Sequence, residues 1–248
     1  MHPLLPDSKE IRVYQQLGRV TAKLLEPMDQ LLLILPGKVP ASLWKQLPEG
    51  RKLKAAMRRR GAKAVPAIYS RLGNKKQTLI AGATAAADAT AFEQLTLARK
   101  LVASATAEKA GSLGIAVMGF DDDVAASLIK NVVAAALAAT FQLPTFKSDP
   151  PSEKIRSIRI VGLAEKLDLD RVRAEANGNN LARWLTAMPP NKLDAVGYAD
   201  LLQALAKDCG LQYKRYSVKE LEKMNAGAFL AVAQGNDDDL SLIHISEP

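Results

Sequence analysis

The sequence predicts an α/β fold, and three observations carry that expectation. Along the first two-thirds of the chain, short apolar runs bounded by proline and glycine alternate with longer amphipathic segments. Two of the helical segments open on capping-box spacings. Hydrophobic residues make up 48% and charged residues 24% of 248 residues, a composition that builds a globular core without cross-links.

The elements follow in order. Residues 29–36 contain Leu31, Leu32, Leu33, Ile34 and Leu35 between proline and glycine stops, a run whose shortness reads as a buried strand. Residues 65–72 and 77–81 flank Gly73-Asn74-Lys75-Lys76, turn chemistry that predicts a hairpin. A helix is predicted from Thr90, capped with Glu93, and Phe92, Leu95, Ala98, Leu101, Val102 and Ala105 are expected to form its buried stripe. A strand over 113–120 leads to Asp121, Asp122 and Asp123 and then to an alanine-rich helix ending near Thr140. The three acids suit the positive end of that helix. The competing reading, a cation site, requires more oxygen ligands converging from elsewhere. Residues 142–154, with Pro144, Pro150 and Pro151, predict a loop or linker, and residues 155–162 a strand. A helix over 168–187 is expected to stop at Pro189-Pro190, since neither proline donates the next backbone hydrogen bond. Gly178, within Asn177-Gly178-Asn179-Asn180, predicts a kink or interruption in it. Beyond the prolines come a helix over 194–209 with Gly210 as its stop, a strand over 211–216, and a short helix capped by Ser217 and Glu220. Residues 226–234 read as a helical turn or a strand.

The search for catalytic chemistry is nearly empty. His2 and His244 lie at opposite ends of the chain, and no His-Glu-x-x-His spacing places two imidazoles on one metal. No Gly-Lys-Ser or Gly-Lys-Thr phosphate loop occurs, and Gly111-x-x-Gly114 precedes a strand rather than a helix. Asp237, Asp238 and Asp239 form a second acid run, read as a solvated loop against the alternative of a metal cluster. The one cysteine, Cys209, excludes an intrachain disulfide and suggests a reducing, cytoplasmic setting. Its place at a helix end predicts a quiet, partly buried thiol. The longest apolar runs, 31–35 and 132–139, fall far short of the roughly 20 residues needed to cross a bilayer, so no membrane contact is expected. The first ten residues lack a charged start leading into an apolar stretch, and no signal peptide is expected.

The net charge is +8, and much of the excess is local. Arg51, Lys52, Lys54, Arg58, Arg59, Arg60 and Lys63 lie within thirteen residues that contain no acid. They read as a solvated helix face, or as a weak, nonspecific contact for the phosphate backbone of nucleic acid.

Two stretches carry a family resemblance. Ala182-Arg183-Trp184-Leu185-Thr186-Ala187-Met188-Pro189-Pro190-Asn191 resembles a helix ending in an Asn-Thr-Pro-x-Asn turn. Gly227-Ala228-Phe229-Leu230-Ala231-Val232-Ala233-Gln234-Gly235-Asn236 is similar to a Gly-Ala-hydrophobic-Leu-Ala-Val run followed by Gln-Gly. Both patterns belong to the leucyl aminopeptidases, the dinuclear-metal M17 peptidases. The chain departs from them at Ala187-Met188 and at Ala195-Val196, where a proline is common. The resemblance implies a macro-domain-like N-terminal α/β domain (1–166), a linker helix and Pro-Pro turn (167–190) and the first βα unit of an incomplete α/β catalytic domain (191–239). Residues 240–248 are a tail that reads as a strand or, from Ser241, as translated adapter sequence. It further implies hexamers with two Zn or Mn ions per site, held by lysine, aspartate and glutamate. Those ligands lie in Lys-Gly-(Val/Ile)-Thr-Phe-Asp-(Ser/Thr)-Gly-Gly and Asn-Thr-Asp-Ala-Glu-Gly-Arg signatures. Neither signature occurs in these 248 residues, so no catalytic or metal-binding residue is assigned, and the chain alone is expected to be inactive and to bind no metal. The function expected is that of the front part of a cytoplasmic metallo-exopeptidase acting on peptides. The alternatives are a basic α/β nucleic-acid-binding module and a macro-like nucleotide-binding domain. With most of a catalytic sheet missing, the segment after Pro190 is expected to be loose.

Overall fold

A computed structural model describes residues 4–6, 11–107, 111–145 and 155–233. The chain divides into two compact units, one formed by residues 8–180 and the other by residues 1–7 with 181–248.

In the first unit the central strand sets the architecture. Strand β2 (Gln30–Pro36) has five consecutive apolar residues, all buried, so both of its faces must be covered. Leu32 and Ile34 enter one core with α4 (Ala91–Ala107) and α5 (Asp122–Thr140). Leu31, Leu33 and Leu35 enter the other, with residues of α1 (Ala22–Leu25), α2 (Ala41–Gln46) and α3 (Gly50–Arg60). The sheet has six strands in the order β1-β6-β5-β2-β4-β3. These are β1 (Arg12–Leu17), β3 (Ile68–Arg71), β4 (Leu79–Ala85), β5 (Ser112–Val117) and β6 (Ser157–Leu163) around β2. All pairings are parallel except β3 with β4, which is the hairpin anticipated from the Gly73-Asn74-Lys75-Lys76 turn.

Several details differ from the sequence expectation. Strand β1 was not anticipated, because Arg12-Val-Tyr-Gln-Gln-Leu lies at a sheet edge and has no sustained apolar alternation. Strand β5 ends at Val117 rather than 120: the Met118 N–H still donates to Ile34 O (3.0 Å), but Gly119, at φ 85, turns the chain away. In α4 the buried stripe is Gln94, Ala98, Leu101, Val102 and Ala105, while Phe92 (78% exposed) and Leu95 point outward. Gln94 is tolerated inside because its amide is satisfied: it donates to Ala89 O (3.0 Å) and accepts from Ser127 Oγ (2.9 Å) and Asn131 Nδ2 (2.8 Å). By length and composition α5 is apolar enough to cross a bilayer, yet Leu128, Ile129, Val132, Val133 and Ala136 lie in the core. Asp121 caps it, accepting from the Val124 N–H (2.9 Å), the helix-end role expected of the first acid of the triplet. Helix α6 (Asp170–Thr186) passes through Gly178 without interruption, and Asn180 donates its amide to Leu137 O (3.4 Å).

In the second unit, Trp184 near the end of α6 donates its indole N–H to Leu4 O (2.8 Å). After the prolines, the N–H groups of Lys192 and Leu193 turn back onto Pro189 O. Helix α7 (Ala195–Cys209) is capped by Asp194 and stopped by Gly210 at φ 68. The complete Ser217/Glu220 capping box opens α8 (Val218–Lys223), and residues 226–234 resolve into helix α9 (Gly227–Ala233). Leu201 and Leu221 are fully buried, while Leu202 and Leu205 are half-buried. The strand expected at 211–216 is absent: that segment has no ladder partner among the described residues. It is held instead by Tyr213 Oη donating to Ala199 O (3.0 Å) and by Arg215 beside Asp200 (3.6 Å). Cys209 is exposed rather than partly buried, because it ends α7 on the outward side. The linker beyond residue 145, Asp237–Asp239, both histidines and the 240–248 tail lie outside the described residues.

Two glycines in helices should respond oppositely to alanine. A Cβ on Gly50 would stand 1.8 Å from Trp44 O, so Gly50→Ala forces α2 and α3 apart. Overpacking of this kind typically costs about 1–3 kcal/mol. A Cβ on Gly178 meets nothing within 4 Å, so Gly178→Ala should stabilise α6 by about 0.5–1 kcal/mol. Urea unfolding followed by far-UV circular dichroism checks both; equal midpoints for the two variants would contradict the packing assigned to Gly50.

Candidate functional site

The seven cations singled out in the sequence fall on α3 and just after it. Gly50, Leu53 and Ala56 are buried, which fixes the inward face of the helix. At about 100° per residue, Arg51, Lys54 and Arg58 then form an outward stripe, with Arg59 beside it. Arg58, Arg59 and Arg60 fill the last turn, where positive charge suits the carbonyl end of the helix dipole. Gly61, at φ 86, closes the helix with its N–H on Met57 O (2.9 Å).

Two of the seven are committed to neighbours. Lys52 pairs with Glu49 (3.1 Å) and also donates to Arg71 O. Arg60 donates to Pro66 O (2.9 Å) and lies over the Tyr69 ring, 5.7 Å from its centroid. Arg51, Arg58, Arg59 and Lys63 are exposed and Lys54 is half-buried, and among the described residues none of the five has a carboxylate partner. Glu49 is at the entrance to α3 with φ 51. The Gly73 N–H, reinforced by Lys52, holds its carboxyl below the usual glutamate range. It thereby ties α3 to the hairpin turn.

The structure adds residues that the sequence window missed. Strand β3 packs against α3, which brings Arg71, Lys75 and Lys76 of the hairpin into the same region. The signal was present: residues 51–87 contain ten of the 34 lysines and arginines and no acid, leaving the rest of the chain close to neutral. Lys75 is exposed, while Lys76 pairs with Asp29 (3.1 Å) and donates to Pro27 O (3.1 Å). Asp29 also accepts from the backbone N–H groups of Gly111 (3.0 Å) and Ser112 (2.8 Å), with the Ser112 hydroxyl at 2.9 Å.

The C-terminal ends of β2 and β5 form the point where the connections diverge to opposite faces, a common ligand crevice in parallel sheets. Here a Cβ at Gly119 would stand 2.7 Å from Leu43 Cδ2 and 3.0 Å from Pro36 Cδ, so protein atoms crowd the position. The adjoining N-terminus of α5 carries Asp121, Asp122 and Asp123, which repel a pyrophosphate. This position lends no support to a nucleotide-binding reading.

Among the described residues no three His, Cys, Asp or Glu side chains are grouped to hold a metal ion, so those residues do not fit a metal pair.

The chain is similar to known proteins both over the segment from the end of α6 and over most of its length. The profile of the cytosol aminopeptidase family, catalytic domain, matches residues 180–246. A probable cytosol aminopeptidase of Nostoc punctiforme is 30% identical over 190 residues, covering 74% of this chain and 38% of that protein. One from Prochlorococcus marinus is 33% identical over 141 residues, covering 55% of this chain and 28% of that protein. The fold of a tomato leucine aminopeptidase mutant superposes with a TM-score of 0.70 at 17% identity, over 95% of this chain and 50% of that one. The bottromycin maturation enzyme BotP, in a structure with Mn, gives 0.58 at 20% identity, over 85% and 43%. The fold is therefore shared with about half of that leucine aminopeptidase chain. The chain belongs to the leucyl aminopeptidase (cytosol aminopeptidase) family, and it spans well under half the length of the curated relatives it matches.

The Asp29 cluster sets a pH dependence. Burial pushes this carboxyl up, but hydrogen bonds from Lys76 and Ser112 outweigh that and hold it below the ordinary aspartate range. Its contribution to stability is then complete above the unfolded value of about 3.9 and is lost as pH falls through the lower folded value. Asp29→Asn should be less stable than the parent near neutrality, with the gap closing below about pH 4. Thermal melts across that range check this; a gap that widens toward acid would contradict it.

Proposed function

We propose that this chain is the front part of a cytosolic metallo-exopeptidase that releases N-terminal residues from peptides. The observation that carries the reading is the match of residues 180–246 to the peptidase catalytic domain, over the same segment that folds as the end of α6 and helices α7–α9. In this proposal residues 1–166 are a macro-like domain, 167–190 a linker and 191–239 the start of the peptidase domain. The naming of its relatives as cytosol aminopeptidases supports the location, and hexameric assembly belongs to the same reading.

The intact enzyme would use two divalent ions, Zn or Mn. Such ions would supply water activation and carbonyl polarisation in the intact enzyme. A relative solved in complex with Mn supports the choice of metal class. Neither metal-ligand signature of the family occurs in the 248 residues, so the proposal gives these residues a scaffolding role. The chain alone binds no metal pair and performs no hydrolysis.

Purified free of host aminopeptidases and supplied with Mn²⁺, the 248-residue chain should release no p-nitroaniline from leucyl-p-nitroanilide. Metal-dependent turnover would overturn the scaffolding role. A chimera in which residues 1–233 replace the matching part of the Nostoc punctiforme relative should keep that relative's activity. A folded chimera with an intact metal complement and no turnover would sink the peptidase reading.

A further inference from the structure

We propose that the face formed by α3 and the β3–β4 hairpin docks on the phosphate backbone of duplex nucleic acid without reading its sequence. The inference stands apart from the peptidase reading, because it uses none of residues 180–246.

The charge on this face is concentrated and available. Residues 51–87 carry no acid. Arg51, Lys54, Arg58, Arg59, Lys63 and Lys75 have no carboxylate partner among the described residues. Two acids adjoining the face, Glu49 and Asp29, are engaged by Lys52 with the Gly73 N–H, and by Lys76 with Ser112. Arginine provides three of the six free cations, and its planar fork suits phosphate oxygens better than an ammonium does.

The face is also held still. Leu53 and Ala56 seat α3 in the core, Gly50 brings it against the Trp44 carbonyl, and Lys52 and Glu49 pin it to the hairpin. Cations on a pre-positioned element lose less freedom on binding than cations on a loop. Along the stripe, three- and four-residue steps correspond to about 4.5–6 Å of helix rise.

The chemistry favours nucleic acid over the other anionic partners. A helix that lies on a membrane turns an apolar face outward, whereas the apolar face of α3 is inside the protein. A protein interface needs an apolar or aromatic centre, and the outward positions here are Arg51, Lys54, Ala55, Arg58 and Arg59. A duplex presents one negative charge per roughly 1.7 Å of axis, which suits an extended patch. A helix packed flat on a sheet, presenting cations alone, has no groove-filling element to recognise bases.

Fluorescence anisotropy with two short duplexes of unrelated sequence tests this, titrating salt and using the 248-residue chain. Five or six phosphate contacts give a slope of log K against log salt of about −4.5 to −5.5. The two duplexes should bind within about threefold of each other. The variant Arg51→Gln/Arg58→Gln/Arg59→Gln should flatten the slope by about 2.7 and weaken binding at least about tenfold at low salt. Lys207→Gln/Lys223→Gln, far along the sequence on α7 and α8, should change neither. Far-UV circular dichroism checks that the variants fold. Should the triple variant fail to fold, Lys63→Gln/Lys75→Gln, outside the helix, should flatten the slope by about 1.8. Absence of binding at low salt, an unchanged slope in the folded variants, a clear preference for one duplex, or tighter binding to polyglutamate or anionic vesicles would each overturn the proposal.

Discussion

A single carboxylate at the foot of the sheet organises the strands around it. Asp29, just before β2, accepts from the Gly111 and Ser112 N–H groups at the start of β5, and pairs with Lys76 in the hairpin turn. Its backbone continues the pattern, with the carbonyl receiving the Leu79 N–H (3.0 Å) at the start of β4. Three strand beginnings that are far apart in sequence are thereby aligned. Once they are, the five-residue apolar run of β2 lies between two neighbours with both faces covered. The carboxylate works because backbone donors surround it and a lysine offsets its charge, so partial burial does not protonate it.

That alignment also explains why the basic surface exists as a surface. The hairpin is fixed to the sheet at Asp29 and to α3 at Glu49, and cations separated in sequence are brought together by those anchors. The two acids are thus consumed in the scaffold, and the charge around them is left uncompensated. The C-terminal ends of β2 and β5 have different surroundings. Protein atoms crowd the divergence point at Gly119, and Asp121, Asp122 and Asp123 begin α5 just after it. The crevice usual for ligands in such a sheet is thus crowded by protein atoms and bordered by the acids of α5.

Local chemistry was legible in the sequence, and tertiary choice was not. The apolar run of β2, the hairpin turn, the Thr90/Glu93 and Ser217/Glu220 caps and the stop at Gly210 could be read because each is determined within a few residues. Strand β1 escaped because an edge strand needs no apolar alternation. The inward position of Gln94 escaped because its hydrogen-bond partners lie on another helix. Residues 211–216 have strand-like content but no ladder partner among the described residues, and pairing is not a property of one segment. Of the basic patch, the helix half was visible as a charge run, whereas the hairpin half required knowing that β3 packs on α3. The family resemblance was legible because it rests on two short motifs, around Pro189-Pro190 and at 227–236.

Strand β1 has one neighbour, and that neighbour is the last strand of the sheet. Gln15 exchanges hydrogen bonds with the Leu167 backbone across 152 residues of chain. During synthesis at about 5–20 residues per second, the first strand emerges and waits about 8–30 s before its partner exists. The β2–β3–β4–β5 segment with its helices can assemble in that interval, since each of its pairings is complete by Val117. The amino-terminal strand is thus among the last pieces to dock, and its half-polar composition keeps an unpaired edge soluble while it waits.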